Sequence, residues 1–429
     1  ATWSSILIGL ASVMSSVDFL FHTKGLGFPC RKHTCSRMNP KPELPVPDEA
    51  SARHSRDVAT HIAHLIGESG GRIPFSTFMQ EALYAPGLGY YTAGARKLGA
   101  DGDFVTAPEI SPLFGYVLAR QSADILVQID GASILEAGAG SGALAVSVLK
   151  KLRVLDTLPA RYLILDVSAD LRERQADRFR RELPWFVDRI EWIDDLPSDF
   201  RGVVLANEVI DALPVERFRI QGDEVHRACV QWSNDRFDWC LEQAPPVLDR
   251  AVRNIESSLD APLAPGYVSE VSLAADTWTR DLCAAVKEGA IFICDYGLSR
   301  REYYAPDRDS GWLRCHFRHR AHDDPLILPG IQDLTAWVDF STIAGAAVDA
   351  GAAVAGFMTQ AHFLMQGGLE AELTGFADVP LEAQVAMSGE IKRLTLPAEM
   401  GENFKCIGLV CGAIDAPSVF GVSDRTHTL

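Results

Sequence analysis

The 429-residue chain carries 57 Asp and Glu against 40 Lys and Arg, a formal charge of −17, and 47% of it is hydrophobic. That length exceeds one ordinary core and suits a large α/β domain with an added lobe, or two domains. Acidity without a long basic run argues against a sequence-independent grip on nucleic acid; it mostly reflects a solvated surface, though it would also suit a cationic substrate.

The nine cysteines are odd in number and scattered, several in apolar strand-like runs. They read as buried thiols of a reducing compartment. Cys30 and Cys35 have a knuckle-like spacing, but no second Cys/His pair completes four zinc ligands, so no metal is expected. Residues 1–50 read as a leader or disordered segment. The apolar run 6–14 falls well short of the roughly 20 residues of a spanning helix, so no stable membrane insertion is expected. Residues 1–37 fit a transit-like leader, and equally upstream sequence preceding Met38 as the start.

Residues 51–125 predict an N-terminal helical lobe with an active-site loop. Val58, Ile62, Leu65 and Ile66 have helical spacing, Pro74-Phe75 opens a second helix, and the Gly-, Pro- and Tyr-rich passages 85–91 and 102–111 read as a shaped loop. Residues 126–214 predict one half of a Rossmann-like domain, beginning with the corner 133–142: a short apolar run ending in Glu136, then Gly138, Gly140 and Gly142, then a helix. Such a corner lets backbone approach a ligand and aims a helix N-terminus at it. Gly138-x-Gly140-x-x-Ala143 also satisfies the loose dinucleotide fingerprint, whereas Gly138-x-Gly140-x-Gly142 is the tighter spacing of S-adenosylmethionine (SAM) enzymes.

A second strand ends in Asp166, placed to hold a ribose diol, and Ser168 and Asp170 are suited to cap the next helix. A third strand ends in Asp194 and Asp195, where Asp195 would receive an adenine amino group. The fourth delivers Asn207 and Glu208 at its carboxyl end, the edge where open α/β sheets bind ligands. Residues 215–271 read as a β-rich insertion, 272–415 as the remainder of the α/β domain closing with a hairpin through 406–410, and 416–429 as a tail.

The chain resembles the MidA-like proteins of bacteria and mitochondria, a family that includes the mitochondrial complex I assembly factor with protein arginine methyltransferase activity. The resemblance spans about 51–410. It rests on the motif at 102–111, the glycine corner, Asn207-Glu208-Val209-Ile210-Asp211-Ala212-Leu213-Pro214, Asp295-Tyr296-Gly297 and Arg318-His319-Arg320-Ala321-His322. Two positions depart from the family pattern, Asp166 where Glu is usual and Tyr116 of the Gly115-Tyr116 pair where Glu is usual.

The resemblance implies a class I SAM methyltransferase sheet, SAM as cofactor, and a protein substrate such as a complex I subunit. It places the chain in the bacterial cytoplasm or, alternatively, the mitochondrial matrix. Thr106, Glu109, Glu136, Gly138, Gly140, Gly142, Asp166, Asp195 and Asn207 fall to the cofactor. Glu208 and Asp211 would face a guanidinium flat and bidentate, and His319 would move a proton or bind substrate. Blander readings stand beside these. Asn207 and Asp211 suit the cap of a following helix, and His319 and His322 a salt-linked surface loop. The runner-up for the whole chain is a SAM-binding assembly factor with little or no catalysis. A nicotinamide-dependent dehydrogenase survives only on the ambiguity of the glycine loop.

Overall fold

The computed structural model of the chain describes residues 44–93, 105–422 and 424–429. The expectations for residues 1–37, for Cys30 and Cys35, and for 102–104 lie outside the described residues. The seven described cysteines are free thiols, six of them buried.

The helix Glu49–Glu68 starts where Asp48 accepts the Ser51 N–H, and it buries Val58, Ile62 and Ile66. A short strand, β1 (Arg72–Pro74), and the helix Phe75–Tyr84 follow. The sequence reading missed β1, which is only three residues long and pairs with a strand of the insertion. The N-terminal helices therefore share a core with that insertion, Ile73 and Phe78 packing with Val230 and Phe237. The end of the segment assigned to the lobe goes elsewhere. After the short helix Ala107–Ile110, the helix Pro112–Leu126 lies against Ala143–Val154, so close that a Cβ on Gly115 would sit 1.9 Å from Ser147 Oγ. Tyr116, one of the departures from the family pattern, lies under Lys151 Nζ, 5.8 Å from its ring centroid.

From there the chain alternates: β2 (Ser133–Ala137), helix Ala143–Val154, β3 (Tyr162–Leu165), helix Ala169–Glu182, β4 (Ile190–Ile193) and β5 (Phe200–Asn207). The insertion supplies β6 (Glu216–Gln221), β7 (Glu224–Ser233), β8 (Arg236–Gln243), the helix Pro246–Ser257 and β9 (Val268–Val271). That helix was not anticipated, although Leu248, Val252 and Ile255 stand at helical spacing behind a proline at its first turn. The helix Leu273–Ala285 leads into β10 (Val286–Leu298). Then come β11 (Leu313–Phe317), β12 (Arg320–His322), β13 (Asp333–Ala336), β14 (Val338–Asp339), helix Phe340–Asp349, β15 (Ala353–Thr359) and β16 (Phe404–Cys411).

The central sheet runs β15-β16-β10-β5-β2-β3-β4, with β14 alongside β10. The strands from β10 to β4 are parallel, and β16 is antiparallel to both its neighbours. A reversed strand set between two others departs from the all-parallel order of dinucleotide-binding sheets. The expected closing hairpin is instead two strands joined through helices between residues 360 and 403. The tail is not loose: Val419 and Phe420 are buried, and Phe420 fills the slot left by Gly356 and Gly408, where any Cβ would meet its ring.

The insertion sheet holds β8 on one edge of β7, with β6 and β1 on the other and β9 outside β6. A third sheet, β12-β11-β13, brings β13 to the turn that leaves β5, where the Ala336 N–H reaches the Asp211 carbonyl at 2.9 Å.

Candidate active site

At the carboxyl end of β2, Gly138, Gly140 and Gly142 all take left-handed backbone, with φ of 63°, 53° and 80°. A side chain is strained at each. Gly142 has a packing reason as well, since a Cβ there would meet the Phe179 ring at 2.8 Å. Among the described residues no side chain caps the first turn of the helix that follows, which leaves its N–H groups available to a ligand. Asp166 ends β3's run into this corner. Its Oδ1 accepts the Ser168 N–H (2.9 Å) and its Oδ2 the Gln175 amide (2.8 Å), and burial raises its pKa. Gln175 also donates to the Gly140 carbonyl and accepts from Trp192 Nε1, so one side chain ties the second and third strand ends to the glycine loop. Val167, beside Asp166, is 70% exposed.

Glu136 is the last polar residue of β2, two positions before Gly138. It is buried, accepts the Tyr162 hydroxyl at 2.6 Å, and burial pushes it up to about 7 against that hydrogen bond. The helix Ala107–Ile110, with Thr106 at its N-cap, closes over the glycine loop. Glu109 there accepts from Ser141 Oγ and sits 3.6 Å from Arg178. Asp195 is exposed just past β4, while Asp194 pairs with Arg172 at 2.8 Å.

A second group of side chains gathers at the carboxyl ends of β5 and β10. No helix follows β5: residues 208–215 turn directly toward β6, so neither Asn207 nor Asp211 is a helix cap. Glu208 holds a left-handed φ of 53°, costly for a residue with a Cβ and the kind of strain that clusters at functional sites. Its Oε1 accepts the Ala107 N–H (3.3 Å) and the Asn207 amide (3.2 Å). Burial first, and then the charge of Asp211, push Glu208 up to about 8, against those two hydrogen bonds.

Asp211 is buried, and its Oδ2 accepts the Tyr296 hydroxyl at 2.6 Å. Burial raises it to about 6. Its Oδ1 and the Oδ1 of Asn207 are buried with no hydrogen-bond partner among the described residues. Asp295, wholly buried at the end of β10, is pushed well up by burial and by Asp211 and Glu208. Asp333 on β13 accepts the Tyr91 hydroxyl at 2.8 Å, and Tyr91 stacks on Tyr84, whose hydroxyl donates to the Ala212 carbonyl. Carboxylates and phenols from five separate stretches thus converge in one electronegative region.

His319 stands on the surface beside the third sheet. Arg318 and His319, with φ of 48° and 59°, form the exposed two-residue turn between β11 and β12, and Arg318 pairs with Asp48. The sequence reading also missed Asp333, Tyr84, Gln175 and Arg172. Tyr91 was noted only as part of a shaped loop, and Asp295-Tyr296 only as a motif.

Over residues 117–358 the chain matches the family model described as "Putative S-adenosyl-L-methionine-dependent methyltransferase". The chain belongs to that family. A Burkholderia thailandensis protein, crystallised with S-adenosyl-homocysteine, is 38% identical to it at a TM-score of 0.84, covering 90% of this chain and 100% of that one. A Drosophila melanogaster protein named mitochondrial protein arginine methyltransferase NDUFAF7 homolog is 28% identical over 416 residues, covering 89% of this chain and 91% of the relative. The human protein named mitochondrial protein arginine methyltransferase NDUFAF7 is 26% identical over 386 residues, covering 82% of each.

Membership makes the chain a SAM-dependent methyltransferase on a class I, Rossmann-like sheet, and it sets the dinucleotide alternative aside. The residues present fit the cofactor. The left-handed glycines and the uncapped helix suit its charged amino-acid end, the Asp166 carboxylate retains acceptor capacity for a ribose diol, and exposed Val167 offers an apolar face to an adenine. No helix among the described residues is long and apolar enough to cross a membrane.

Proposed function

We propose that this methyltransferase modifies arginine on a protein substrate, with Glu208 and Asp211 as the carboxylates that hold the guanidinium. One observation carries the reading. Two buried acceptors, Asp211 Oδ1 and Asn207 Oδ1, lack donors among the described residues beside a carboxyl group whose pKa is raised by burial, an arrangement that suits a cation rich in N–H groups. Guanidinium is such a group, planar, always charged and five-donor. The relatives named as arginine methyltransferases support the same choice.

SAM, when bound, supplies an electrophilic methyl on a sulfonium. The chain's own part is orientation, desolvation and proton management. Asp211, its Oδ2 fixed by Tyr296, presents Oδ1 to the guanidinium. Asn207 adds its amide oxygen. Glu208, with Oε1 occupied by Ala107 and Asn207, has Oε2 left to accept the proton that the methylated nitrogen gives up. A carboxyl near 8 suits that task, because a base works best with a pKa close to the operating pH.

Within this reading, a subunit of respiratory complex I is the substrate implied by the family resemblance. The compartment is the mitochondrial matrix or the bacterial cytoplasm, and the relatives' names favour the former. The test is methyl transfer from deuterated SAM to peptides carrying arginine, lysine or histidine, read by mass spectrometry with wild type and Glu208→Gln. Label on arginine that disappears with Glu208→Gln supports the proposal. Label on another residue type overturns it, and full biological activity of Glu208→Gln would favour an assembly factor.

A further inference from the structure

We propose that the Asp295-Tyr296 step at the end of β10 is the positioning device of this site. Asp295 fixes the turn that carries Glu208 and Asp211, and Tyr296 selects which Asp211 oxygen faces the substrate. The inference rests on the reading of Glu208 and Asp211 as substrate carboxylates.

The turn leaving β5 needs outside support, because Glu208 stands in left-handed backbone with no following helix to hold it. That support comes from β10. The Glu208 N–H donates to the Cys294 carbonyl at 2.9 Å. The next residue, Asp295, accepts the N–H groups of Ile210 (2.9 Å) and Asp211 (3.2 Å) on Oδ2 and that of Tyr296 (2.9 Å) on Oδ1. Asp295 is fully buried and both its oxygens are taken up by backbone, so its contribution passes through the turn rather than through contact with substrate.

From the same strand end, the Tyr296 hydroxyl holds Asp211 Oδ2 at 2.6 Å, leaving Oδ1 as the oxygen without a partner among the described residues. The Tyr296 ring is itself wedged between Phe404 and Trp337, with centroids at 5.4 and 6.0 Å. Side chains locked in this way by packing and hydrogen bonds hold a site to the tolerance that catalysis needs.

The experiment compares Asp295→Asn and Tyr296→Phe, each alone and each combined with Glu208→Gln, in the full chain. Measured quantities are kcat and KM on an arginine peptide, affinity for S-adenosyl-homocysteine, and the pH–rate profile. Asp295→Asn keeps one acceptor oxygen but sets an amide N–H₂ against a backbone N–H, so turnover should fall about a hundredfold, the scale of a misplaced catalytic group. Because it acts partly through the turn that carries Glu208, it should add less than its own full effect to the loss caused by Glu208→Gln. Tyr296→Phe removes a hydrogen bond that favours the Asp211 carboxylate, so the acid limb should move to higher pH while cofactor affinity holds.

Full additivity with Glu208→Gln, or a Tyr296→Phe profile superimposable on wild type, overturns the proposal. The second criterion stands even where Asp295→Asn does not fold. If wild type leaves arginine peptides unmodified, the substrate reading fails instead. The positioning claim is then judged in ligand-free protein, where carbon-13 NMR of aspartate-labelled Tyr296→Phe must still show the Asp211 carboxyl titrating at higher pH than in wild type.

Discussion

Replacing Glu208 with Gln should make the ligand-free protein more stable at alkaline pH while removing most of its activity. Burial and the Asp211 charge lift this carboxyl from 4.5 to about 8 in the folded chain. A folded pKa above the unfolded one means that, between pH 4.5 and about 8, the fold keeps a proton that the unfolded chain releases. Stability from this group is therefore intact below pH 4.5 and lost as pH rises through about 8. At 1.36 kcal/mol per pKa unit, the interval caps the penalty at about 5 kcal/mol, and side-chain relaxation and water entry reduce what is felt. Gln has the same shape and no charge to bury. The variant should melt about 1–3 °C above wild type at pH 9 and level with it at pH 5, the range that a gain of about 1–3 kcal/mol gives in a chain of 429 residues. Scanning calorimetry at the two pH values measures this. Binding of S-adenosyl-homocysteine should stay near wild type and turnover should fall at least about a hundredfold, as when one preorganised electrostatic group is removed. A variant less stable than wild type at pH 9 would show Glu208 to be a structural partner, and the catalytic assignment would fall with it.

With wild type, kcat/KM for an arginine peptide should rise with pH through about 6 and again through about 8 as Asp211 and Glu208 ionise, and the upper inflection should vanish in Glu208→Gln; a flat profile from pH 5 to 9 contradicts the two-carboxylate site. Gly140→Val puts a branched side chain on backbone at φ 53° where the ligand must approach, and calorimetry should detect no SAM binding by a folded variant; unchanged affinity would sink the cofactor site. Asp333→Asn should raise KM for the arginine peptide about tenfold while leaving SAM affinity alone, since Asp333 reaches the electronegative region from β13 through Tyr91; an effect confined to SAM would move Asp333 out of the substrate side.

Local causes made part of this site legible in the sequence. Three glycines at alternate positions between an apolar run and a helix announce a corner whatever the rest of the chain does, and all three take the left-handed backbone that demands glycine. Asn207 and Glu208 were visible because polar groups end an otherwise apolar strand. Asp333 was not, because its meaning depends on Tyr91, 242 residues earlier, and that pairing follows from how β11 and β13 fold back to the turn that leaves β5. β1 carries too few residues for periodicity to register. His319 shows the opposite case, a residue singled out by its neighbours in sequence that the fold places in an exposed turn. A polar run dense in His, Arg and Asp looked like chemistry, but β11 and β12 meet at a two-residue turn of left-handed Arg and His, which lacks the Asn-Gly or Asp-Gly signal of such hairpins.

Gathering Glu208, Asp211, Asp295 and Asp333 around one region is unfavourable in an empty enzyme, since like charges in poor solvent repel and lose hydration. The structure answers with phenols on Asp211 and Asp333, backbone N–H groups on Asp295, and a Glu208 that keeps its proton near neutral pH. On the proposed reading, that retained proton couples binding to chemistry. A guanidinium arrives charged and keeps its own protons, so its entry favours the Glu208 carboxylate and should expel a proton to solvent, an uptake or release that calorimetry in buffers of different ionisation enthalpy can count. Once a nitrogen has gained its methyl it must lose a proton, and the carboxylate that the substrate's charge has just created is the acceptor. A lysine ammonium would pull the same proton off Glu208, but its compact charge has no flat fork with which to meet Asp211 Oδ1 and Glu208 together. The discrimination should therefore appear in turnover more than in binding.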